Sequence, residues 1–164
     1  MSKAVIGLGS NLGDSPTNLK AAVKAVSLLP GTQVVGLSKI YETVPVGEVI
    51  QPDFFNAAIL IETRLTPRAL LGACLGIEAA MGRLRTVKDG PRTIDLDLLL
   101  FENIRDESFE LTLPHPGILK RAFVLVPLGD LFPAGRALGL YFAPALRDID
   151  KSGVRETLFT LNDY

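Results

Sequence analysis

Two aspartates, Asp95 and Asp97, interrupt an otherwise apolar stretch of the chain that favours a β-strand. Because strand side chains alternate between two faces, both carboxylates point the same way, with Cα atoms about 6.5–7 Å apart. Ile94, Leu96 and Leu98 point the other way, into a core. Two anionic groups at this distance repel each other unless a cation lies between them, and Mg²⁺ is a hard cation that prefers oxygen ligands. The pair predicts a metal site or, as the simpler alternative, a half-buried strand with a polar solvent face.

Basic residues surround this strand in the sequence. Some precede it closely, and others follow it near the single histidine, His115. These basic residues are Arg83, Arg85, Lys88, Arg92, Lys120 and Arg121. Because guanidinium groups bind phosphate oxygens through paired hydrogen bonds, carboxylates beside arginines indicate a site for a metal-bound polyphosphate. Ion pairing between Arg92 and the aspartates, with no ligand, explains the spacing equally well.

The composition is that of a globular protein with no strong charge bias. The chain has 164 residues, of which 48% are hydrophobic and 21% charged, and its formal net charge is −1. This length suits one domain with a real core, here residues 1–164. A net charge near zero argues against a general nucleic-acid-binding protein, which would carry a basic face. The single cysteine excludes an internal disulfide, and the short apolar runs predict no signal sequence or membrane span, so we expect a cytoplasmic protein.

Hydrophobic periodicity predicts alternating strands and helices in the first part of the chain. The first three strands are expected over residues 3–8, 32–42 and 54–63, and the fourth contains the two aspartates. Asp14 or Ser15 can cap a first helix, and Thr66 with Pro67 begins a second, which Gly82 can end. The order βαββαβ predicts an α+β, ferredoxin-like core: a mainly antiparallel sheet with helices packed on it. The remaining residues form a C-terminal extension with weaker signals.

Common phosphate-binding and nucleophile motifs are absent from the sequence. Gly7, Gly9 and Gly13 lack the spacing of the dinucleotide fingerprint, and no G-x-x-x-x-G-K-[ST] P-loop occurs. A serine or cysteine nucleophile would need a histidine base, and His115 has no obvious partner in the sequence. Phosphate chemistry here would therefore depend on metals and arginines. Phosphoryl transfer permits this, because its catalysis consists mostly of positioning and charge stabilisation.

Six ordered segments together resemble one enzyme family. They are GSNLGD (9–14), YETVPVG (41–47), QPDFFNAA (51–58), GPRTIDLDLLLF (90–101), LPHP (113–116) and RxFVLxPL (121–128). In this order and spacing they resemble 6-hydroxymethyl-7,8-dihydropterin pyrophosphokinase, a family of folate biosynthesis. The resemblance spans roughly residues 5–133, and the tail after Pro133 lies outside it.

The resemblance implies a reaction and a set of catalytic residues. A pyrophosphoryl group would pass from ATP, as co-substrate, to the hydroxymethyl oxygen of the pterin, and AMP would leave. Two Mg²⁺ ions would be held by Asp95 and Asp97, which agrees with the spacing of the carboxylates. Arg83 and Arg92 would neutralise charge that develops on the transferred group. The implied partners are these two small-molecule substrates, and the sequence does not identify protein partners.

The resemblance also assigns two sets of binding residues. On the nucleotide side these are Glu78, Arg85, Arg92, Leu98, Thr112, His115 and Arg121. On the pterin side these are Thr43, Val44, Pro45, Val46, Phe54, Asn56 and Phe123. A pterin needs a flat slot with in-plane hydrogen bonds. Asn56 offers an amide donor and acceptor for the aminopyrimidine edge, and the two phenylalanine rings offer faces for stacking.

Two other functions remain compatible with the residues taken alone. A metal-dependent nuclease or phosphohydrolase could use the same aspartates and arginines, but it would have no use for Asn56 and the two phenylalanines. A non-catalytic ligand-binding module on a ferredoxin-like scaffold is the second alternative, because a fold does not fix a function. Such a module would bind its ligand without turnover and would tolerate Asp95→Ala.

Overall fold

The computed structural model describes residues 1–84 and 88–164. In chain order, its elements are β1 (Ser2–Ser10), α1 (Ser15–Ser27), β2 (Thr32–Leu37), β3 (Tyr41–Thr43), β4 (Phe54–Thr63), α2 (Pro67–Ala80), β5 (Asp95–Phe101), β6 (Asp106–Glu107), β7 (Thr112–Leu113), a 3₁₀ turn (Ile118–Lys120), α3 (Ala122–Leu131), β8 (Arg136–Ala137), β9 (Leu140–Tyr141), α4 (Ala143–Asp148) and β10 (Val154–Glu156). None of the helices in these two ranges combines the length and apolar character needed to cross a lipid bilayer.

One antiparallel sheet organises the fold. Its strands follow the order β10-β3-β4-β1-β5, and β2 also pairs with β4. Strands β1 and β4 pair along almost their whole length, from Ser2 opposite Thr63 to Ser10 opposite Phe55. Helices α1 and α2 pack on one face of this sheet, so the ferredoxin-like α+β prediction is confirmed.

The two major helices begin at the residues that the sequence predicts. Asp14 caps α1, where its Oδ1 accepts a hydrogen bond from the backbone N–H of Thr17. Thr66 caps α2 in the same way, and Pro67 occupies the first turn, where its missing N–H costs nothing. The chain leaves α2 at Gly82, whose φ of +83° is in the left-handed region that glycine adopts without strain.

The second predicted strand, over residues 32–42, is wrong in one respect, because the structure divides it into β2 and β3. The ladder with β4 is irregular between Val34 and Gly36 and stops after Leu37. At the break, the Ser38 hydroxyl accepts a hydrogen bond from the Ala58 backbone N–H, so a side chain replaces a ladder bond. Pairing resumes at Tyr41, and the bend turns β3 toward the end of the sheet where the aspartates lie.

Two apolar cores lie on opposite faces of the sheet. The larger joins α1 and α2 to the sheet through fully buried residues such as Ile6, Leu19 and Leu70. The smaller joins α3 and α4 to the opposite face, with Leu125 and Phe142 at its centre. This second core covers only part of that face. The uncovered part carries the carboxylates of β5, so the C-terminal extension shapes one wall of the site.

The C-terminal tail returns to the sheet, which no sequence signal predicted. Strand β10 pairs with β3 and so extends the sheet at its edge. Beyond it, Phe159 contacts the ring of Phe55 edge to face, with centroids 6.0 Å apart, and Leu161 is 1% exposed in the larger core. The tail is therefore part of the folded unit.

Candidate active site

A cleft of about 920 Å³ opens over the uncovered part of the sheet. Its walls are the segment after β3, the first half of β5, helix α2, and the segment from Phe109 to Phe123. Every described residue that the sequence predicts for the site lines this cleft: Thr43, Val44, Pro45, Val46, Phe54, Asn56, Glu78, Arg83, Arg92, Asp95, Asp97, Leu98, Thr112, His115, Arg121 and Phe123. The one further predicted residue, Arg85, lies outside the described residues.

The floor of the cleft is flat because the central strand β1 has glycines where the neighbouring strands β4 and β5 carry polar side chains. In register, Gly9 of β1 lies between Asn56 of β4 and Asp95 of β5. Two residues earlier in β1, Gly7 lies opposite Asp97. A Cβ atom at Gly9 would stand 2.9 Å from the Asn56 Oδ1 atom, closer than side chains tolerate. The amide and the carboxylates therefore face one open surface on a rigid sheet.

Asp95 is held by two arginines. The Arg83 Nη1 atom donates to Asp95 Oδ1 at 2.6 Å, and Arg92 Nη1 donates to Asp95 Oδ2 at 2.9 Å. The Arg83 side chain is only 7% exposed, and it also pairs with Glu78 at 2.6 Å. Glu78 in turn accepts a hydrogen bond from the Leu96 backbone N–H at 2.8 Å, which ties α2 to β5. These hydrogen bonds hold Asp95 in place before any ligand binds.

Asp97 has a different environment from Asp95, two residues away. No residue in the ranges 1–84 and 88–164 forms a hydrogen bond or an ion pair with the Asp97 carboxylate. Burial and the nearby charge of Asp95 raise the pKa of Asp97 to about 7, although Arg121 and Arg92 oppose this effect. The carboxylate is therefore under electrostatic strain that a cation would relieve.

The carboxylate pair suits a cation that takes most of its ligands from elsewhere. No cluster of three or more acidic, histidine or cysteine ligands occurs among the described residues. Mg²⁺ commonly binds through one or two carboxylates and completes its octahedron with water and substrate phosphates. Each Asp95 oxygen keeps lone pairs beyond those that the arginines use. Asp95 and Asp97 therefore have the donor set of a magnesium–polyphosphate site and lack that of a protein-only metal cage.

His115 and Arg121 lie in the segment between β7 and α3, which lines the cleft. The Gly117 backbone N–H donates to His115 Nδ1 at 3.0 Å, and burial lowers the pKa of the imidazole. The ring is thus neutral near pH 7, with its proton assigned to Nε2 as a donor. Arg121 passes over Gly117, where a Cβ atom would stand 2.9 Å from Arg121 Nε, and its guanidinium lies 5.8 Å from the Phe123 ring centre.

Asn56 and Thr43 form the polar corner at the other end of the cleft. Both are nearly buried, and Asn56 Nδ2 donates to Thr43 Oγ1 at 2.6 Å. This bond fixes the amide plane, with Oδ1 over the glycine floor. Phe54 lies opposite Thr43 in the ladder and lines the cleft, as do the half-buried Phe123 and the exposed Val44. The corner combines a fixed amide with aromatic faces, which suits a flat heterocycle.

Asn11 connects the walls of the cleft, a role that sequence reasoning missed. Its backbone N–H donates to the Arg92 carbonyl, and its Oδ1 accepts from the Arg92 N–H at 2.8 Å. Its Nδ2 donates to Gln51 Oε1 and to the Pro52 carbonyl. Gln51 continues the chain of bonds to the Asp89 carbonyl at 2.9 Å. The segment GSNLGD pointed to this position through the family resemblance, but its function as a junction needs the fold.

Two other groups of lining residues were also missed. Leu71, Leu75, Phe109 and Leu111 add apolar surface beside Leu98. Ile149, Asp150, Gly153 and Val154 bring the C-terminal tail to the end of the cleft near Val44. Leu71 and Leu75 belong to an ordinary apolar helix, Phe109 and Leu111 alternate with polar residues, and the second group lies in a stretch with no motif. None of them carries a signal in the sequence alone.

Comparison with known proteins places the chain in a family. Residues 5–133 match the family model for 7,8-dihydro-6-hydroxymethylpterin-pyrophosphokinase (HPPK). The chain is 45% identical over 154 residues to 2-amino-4-hydroxy-6-hydroxymethyldihydropteridine pyrophosphokinase of Methylorubrum extorquens, covering 94% of the chain and 98% of that relative. It is 45% identical over 128 residues to the enzyme of the same name from Bacillus subtilis, covering 78% and 77%.

A solved structure has a similar fold. The crystal structure of Plasmodium falciparum HPPK-DHPS with SDX-DHP is similar with a TM-score of 0.71 at 18% identity, covering 95% of this chain. The chain spans 47% of the length of that larger protein, so this likeness concerns the fold of one part of it. The family model, the sequence relatives and the fold agree: the chain belongs to the 7,8-dihydro-6-hydroxymethylpterin-pyrophosphokinase family.

Proposed function

We propose that the described cleft is the active site of a pyrophosphokinase and that the residues named above divide into catalytic, nucleotide-binding and pterin-binding groups. The chain transfers pyrophosphate from ATP to the hydroxymethyl group of 6-hydroxymethyl-7,8-dihydropterin in folate synthesis, as its family membership and relatives indicate. AMP is the other product by mass balance. One observation carries the assignment: Asp95 and Asp97 share a flat floor with Asn56, so a polyphosphate site and a heterocycle site meet there.

We assign Asp95 and Asp97 as ligands for two Mg²⁺ ions that bind with ATP. The strained carboxylate of Asp97 and the open lone pairs of Asp95 support this assignment. Bound Mg²⁺ would polarise phosphoryl oxygens and neutralise their charge. The arginines that hold Asp95 keep it in one orientation, so little rearrangement is needed when the nucleotide arrives.

We assign Arg83 and Arg92 to the stabilisation of charge on the transferred group. Arg92 uses Nη1 for Asp95, and its Nη2 lies 3.8 Å from Asp89, too far for a hydrogen bond. That nitrogen can therefore turn to a phosphoryl oxygen. Arg83 is more deeply buried, where its charge is screened less by water and acts more strongly on the reacting group.

The nucleotide side is proposed to be the wall formed by α2 and the segment around His115. Its residues are Glu78, Arg85, Arg92, Leu98, Thr112, His115 and Arg121, with Arg85 outside the described part of the chain. The neutral His115 ring would donate its Nε2–H to a phosphate oxygen, since Nδ1 is occupied by Gly117. Leu98 and the leucines beside it offer an apolar surface for the base.

The pterin side is proposed to be the polar corner at Asn56. Its residues are Thr43, Val44, Pro45, Val46, Phe54, Asn56 and Phe123. The Asn56 amide keeps one N–H and its carbonyl oxygen for the aminopyrimidine edge, because its other N–H is bonded to Thr43. The heterocycle would place its hydroxymethyl group toward Asp95 and Asp97, across the glycine floor.

We further propose that residues 1–164 act as one pyrophosphokinase domain. The support is the tail, whose strand β10 continues the same sheet and whose Leu161 lies in the same core as α1 and α2. The tail is thus joined to the site through the sheet and the core, with no separate core of its own in the described residues.

A product assay tests the proposed function. Protein, MgATP and 6-hydroxymethyl-7,8-dihydropterin are incubated, and the products are separated by chromatography. We expect AMP and pterin diphosphate in equal amounts, and loss of both in Asp95→Ala and Asp97→Ala. Arg147→Ala, which removes an exposed arginine that pairs with its neighbour Asp148, is the matched control. ADP or free phosphate would indicate a different phosphate enzyme, and binding without turnover would indicate a ligand-binding module.

A further inference from the structure

The C-terminal tail forms part of the wall at the pterin end of the cleft. Strand β10 pairs with β3 so that Val154 lies opposite Thr43, the residue that fixes the Asn56 amide. The Val44 backbone N–H donates to the Gly153 carbonyl at 3.1 Å. The family match ends at residue 133, so this contact belongs to a part of the chain to which the match assigns no role.

Arg155 of the tail bridges the two ends of the segment between β3 and β4. Its Nη2 lies 3.4 Å from Glu42 Oε1 and 3.2 Å from Asp53 Oδ2. Glu42 belongs to β3, directly before the segment, and Asp53 is its last residue before β4. Two carboxylates therefore meet at the base of the segment, and their repulsion is compensated by one guanidinium that the tail supplies.

Residues 44–53, whose two ends Arg155 connects, include three of the proposed pterin-binding residues and one residue that is hydrogen-bonded to Asn11. Val44, Pro45 and Val46 line the cleft, and Gln51 binds Asn11 near Arg92. Between these points the exposed Val46 and Ile50 receive little support from the core. The position of the segment thus depends on what holds its two ends.

We propose that Arg155 is a positioning residue for pterin binding: by bridging Glu42 and Asp53 it holds residues 44–53 in the conformation that receives the heterocycle. The proposal rests on the proposed function, since it takes the Asn56 corner as the pterin site. Arg155 itself does not touch the reacting atoms. Its loss makes the free enzyme sample open conformations of the segment, which weakens pterin binding and leaves the ATP side unchanged.

The test compares steady-state constants for both substrates in Arg155→Gln and Arg155→Lys. For Arg155→Gln we expect the KM for the pterin to rise about 2- to 5-fold, the upper part of the range for loss of an exposed ion pair, with kcat and the KM for ATP less than twofold from wild type. Arg155→Lys keeps the charge and should recover most of the loss. The rise should also shrink at high ionic strength, because the two carboxylates are then screened from each other.

Two controls separate positioning from general weakening of the tail. Lys39→Gln removes the exposed pair between Lys39 and Glu156 at 2.8 Å, which attaches the same strand without reaching residues 44–53. Arg147→Ala removes an arginine elsewhere in the tail. Both should leave the KM for the pterin unchanged. Asp53→Asn, which removes the loop side of the Arg155 pair, should raise it in the same way, and the double variant should be no worse than either single one.

Asn56→Ala distinguishes failure of this proposal from failure of the proposed function. If it raises the KM for the pterin and Arg155→Gln does not, the pterin site stands and the positioning role of Arg155 is wrong. If neither changes that constant, the assignment of the pterin end is itself wrong. If Arg155→Gln lowers kcat and weakens both substrates together with the unfolding midpoint, the residue has only a structural role, and the proposal is overturned.

Discussion

Asp97→Asn should make the protein more stable while it removes activity. Burial raises the pKa of Asp97 from 3.8 to about 7, so the charged carboxylate opposes folding at neutral pH. At 1.36 kcal/mol per pH unit, this difference corresponds to an upper limit of about 4 kcal/mol above pH 7. An asparagine has nearly the same shape and no charge. We expect it to raise the free energy of unfolding by about 2–4 kcal/mol at pH 8.

The sign of the pH dependence follows from where each state binds its proton. Between pH 3.8 and about 7 folded Asp97 is protonated, whereas an unfolded aspartate has lost its proton, so the wild type gains stability as the pH falls through this window. The variant lacks this titration. The advantage of Asp97→Asn should therefore shrink to about 1–2 kcal/mol at pH 5.

Urea unfolding in the presence of EDTA, at pH 5 and pH 8, measures this difference without bound metal. Asp95→Asn is the matched control, because Asp95 is already compensated by Arg83 and Arg92 and its neutralisation should bring no gain. The reasoning is refuted if Asp97→Asn is no more stable than wild type at pH 8, or if its advantage is the same at both pH values. Pyrophosphoryl transfer by the variant, assayed with excess Mg²⁺, should be reduced at least about 100-fold.

Four further variants test other parts of the molecule. Gly9→Ala places a Cβ atom 2.9 Å from Asn56 Oδ1 and should raise the KM for the pterin more than tenfold, with ATP binding as the internal control; an unchanged constant would contradict the role of the flat floor. Asn56→Ala leaves the buried Thr43 hydroxyl without its partner and should lower the free energy of unfolding by about 1–2 kcal/mol, measured by urea unfolding. His115→Ala should raise the KM for ATP about 10-fold, as expected for a lost hydrogen bond to a charged group. Because the pKa of the imidazole is lowered, the KM of the wild type for ATP should not change in this way between pH 7 and 8. Phe142→Ala empties the centre of the smaller core and should lower the free energy of unfolding by about 3–5 kcal/mol, and a loss below 1 kcal/mol would mean that α4 is not needed there.

The parts of the fold that local sequence determines were predictable. Strands β1, β4 and β5 have continuous apolar or alternating patterns, and α1 and α2 have capping residues at their first positions. Their pairing into one antiparallel sheet followed from the order of elements. The same holds for the position of Asp95 and Asp97 on one face, because side-chain alternation in a strand depends only on the backbone.

The break between β2 and β3 could not be predicted, because it depends on a partner distant in sequence. Residues 32–42 read as one β-rich run, and the ladder stops where the Ala58 backbone N–H bonds the Ser38 hydroxyl in place of a backbone carbonyl. Strand β10 is similar, since Val154–Glu156 has three residues and becomes a strand only against β3. Non-local contacts of this kind leave no period or motif in the sequence.

In the candidate site, too, some residues could be predicted from the sequence and others could not. The family resemblance identified residues that line the cleft, and most of them belong to the six ordered segments, whereas Glu78, Arg83 and Thr112 lie outside those segments. It did not identify Asn11 as a junction or Arg155 as a bridge, because both act by joining segments that the sequence keeps far apart. The different states of Asp95 and Asp97 also needed the structure, since identical side chains two residues apart differ only in their neighbours.

The two walls of the pterin corner belong to strands of very different stiffness. Asn56 lies on β4, ten residues long and paired on both sides, whereas Thr43 ends a strand of three residues. In native-state hydrogen exchange, backbone amides of β4 should open only with global unfolding, and those of β3 at a much lower free energy. The 2.6 Å bond between the two side chains thus joins a long, firmly held strand to a short strand that opens more easily. A substrate that completes this corner would slow exchange mainly on the β3 side, which makes β3 the reporter of pterin binding.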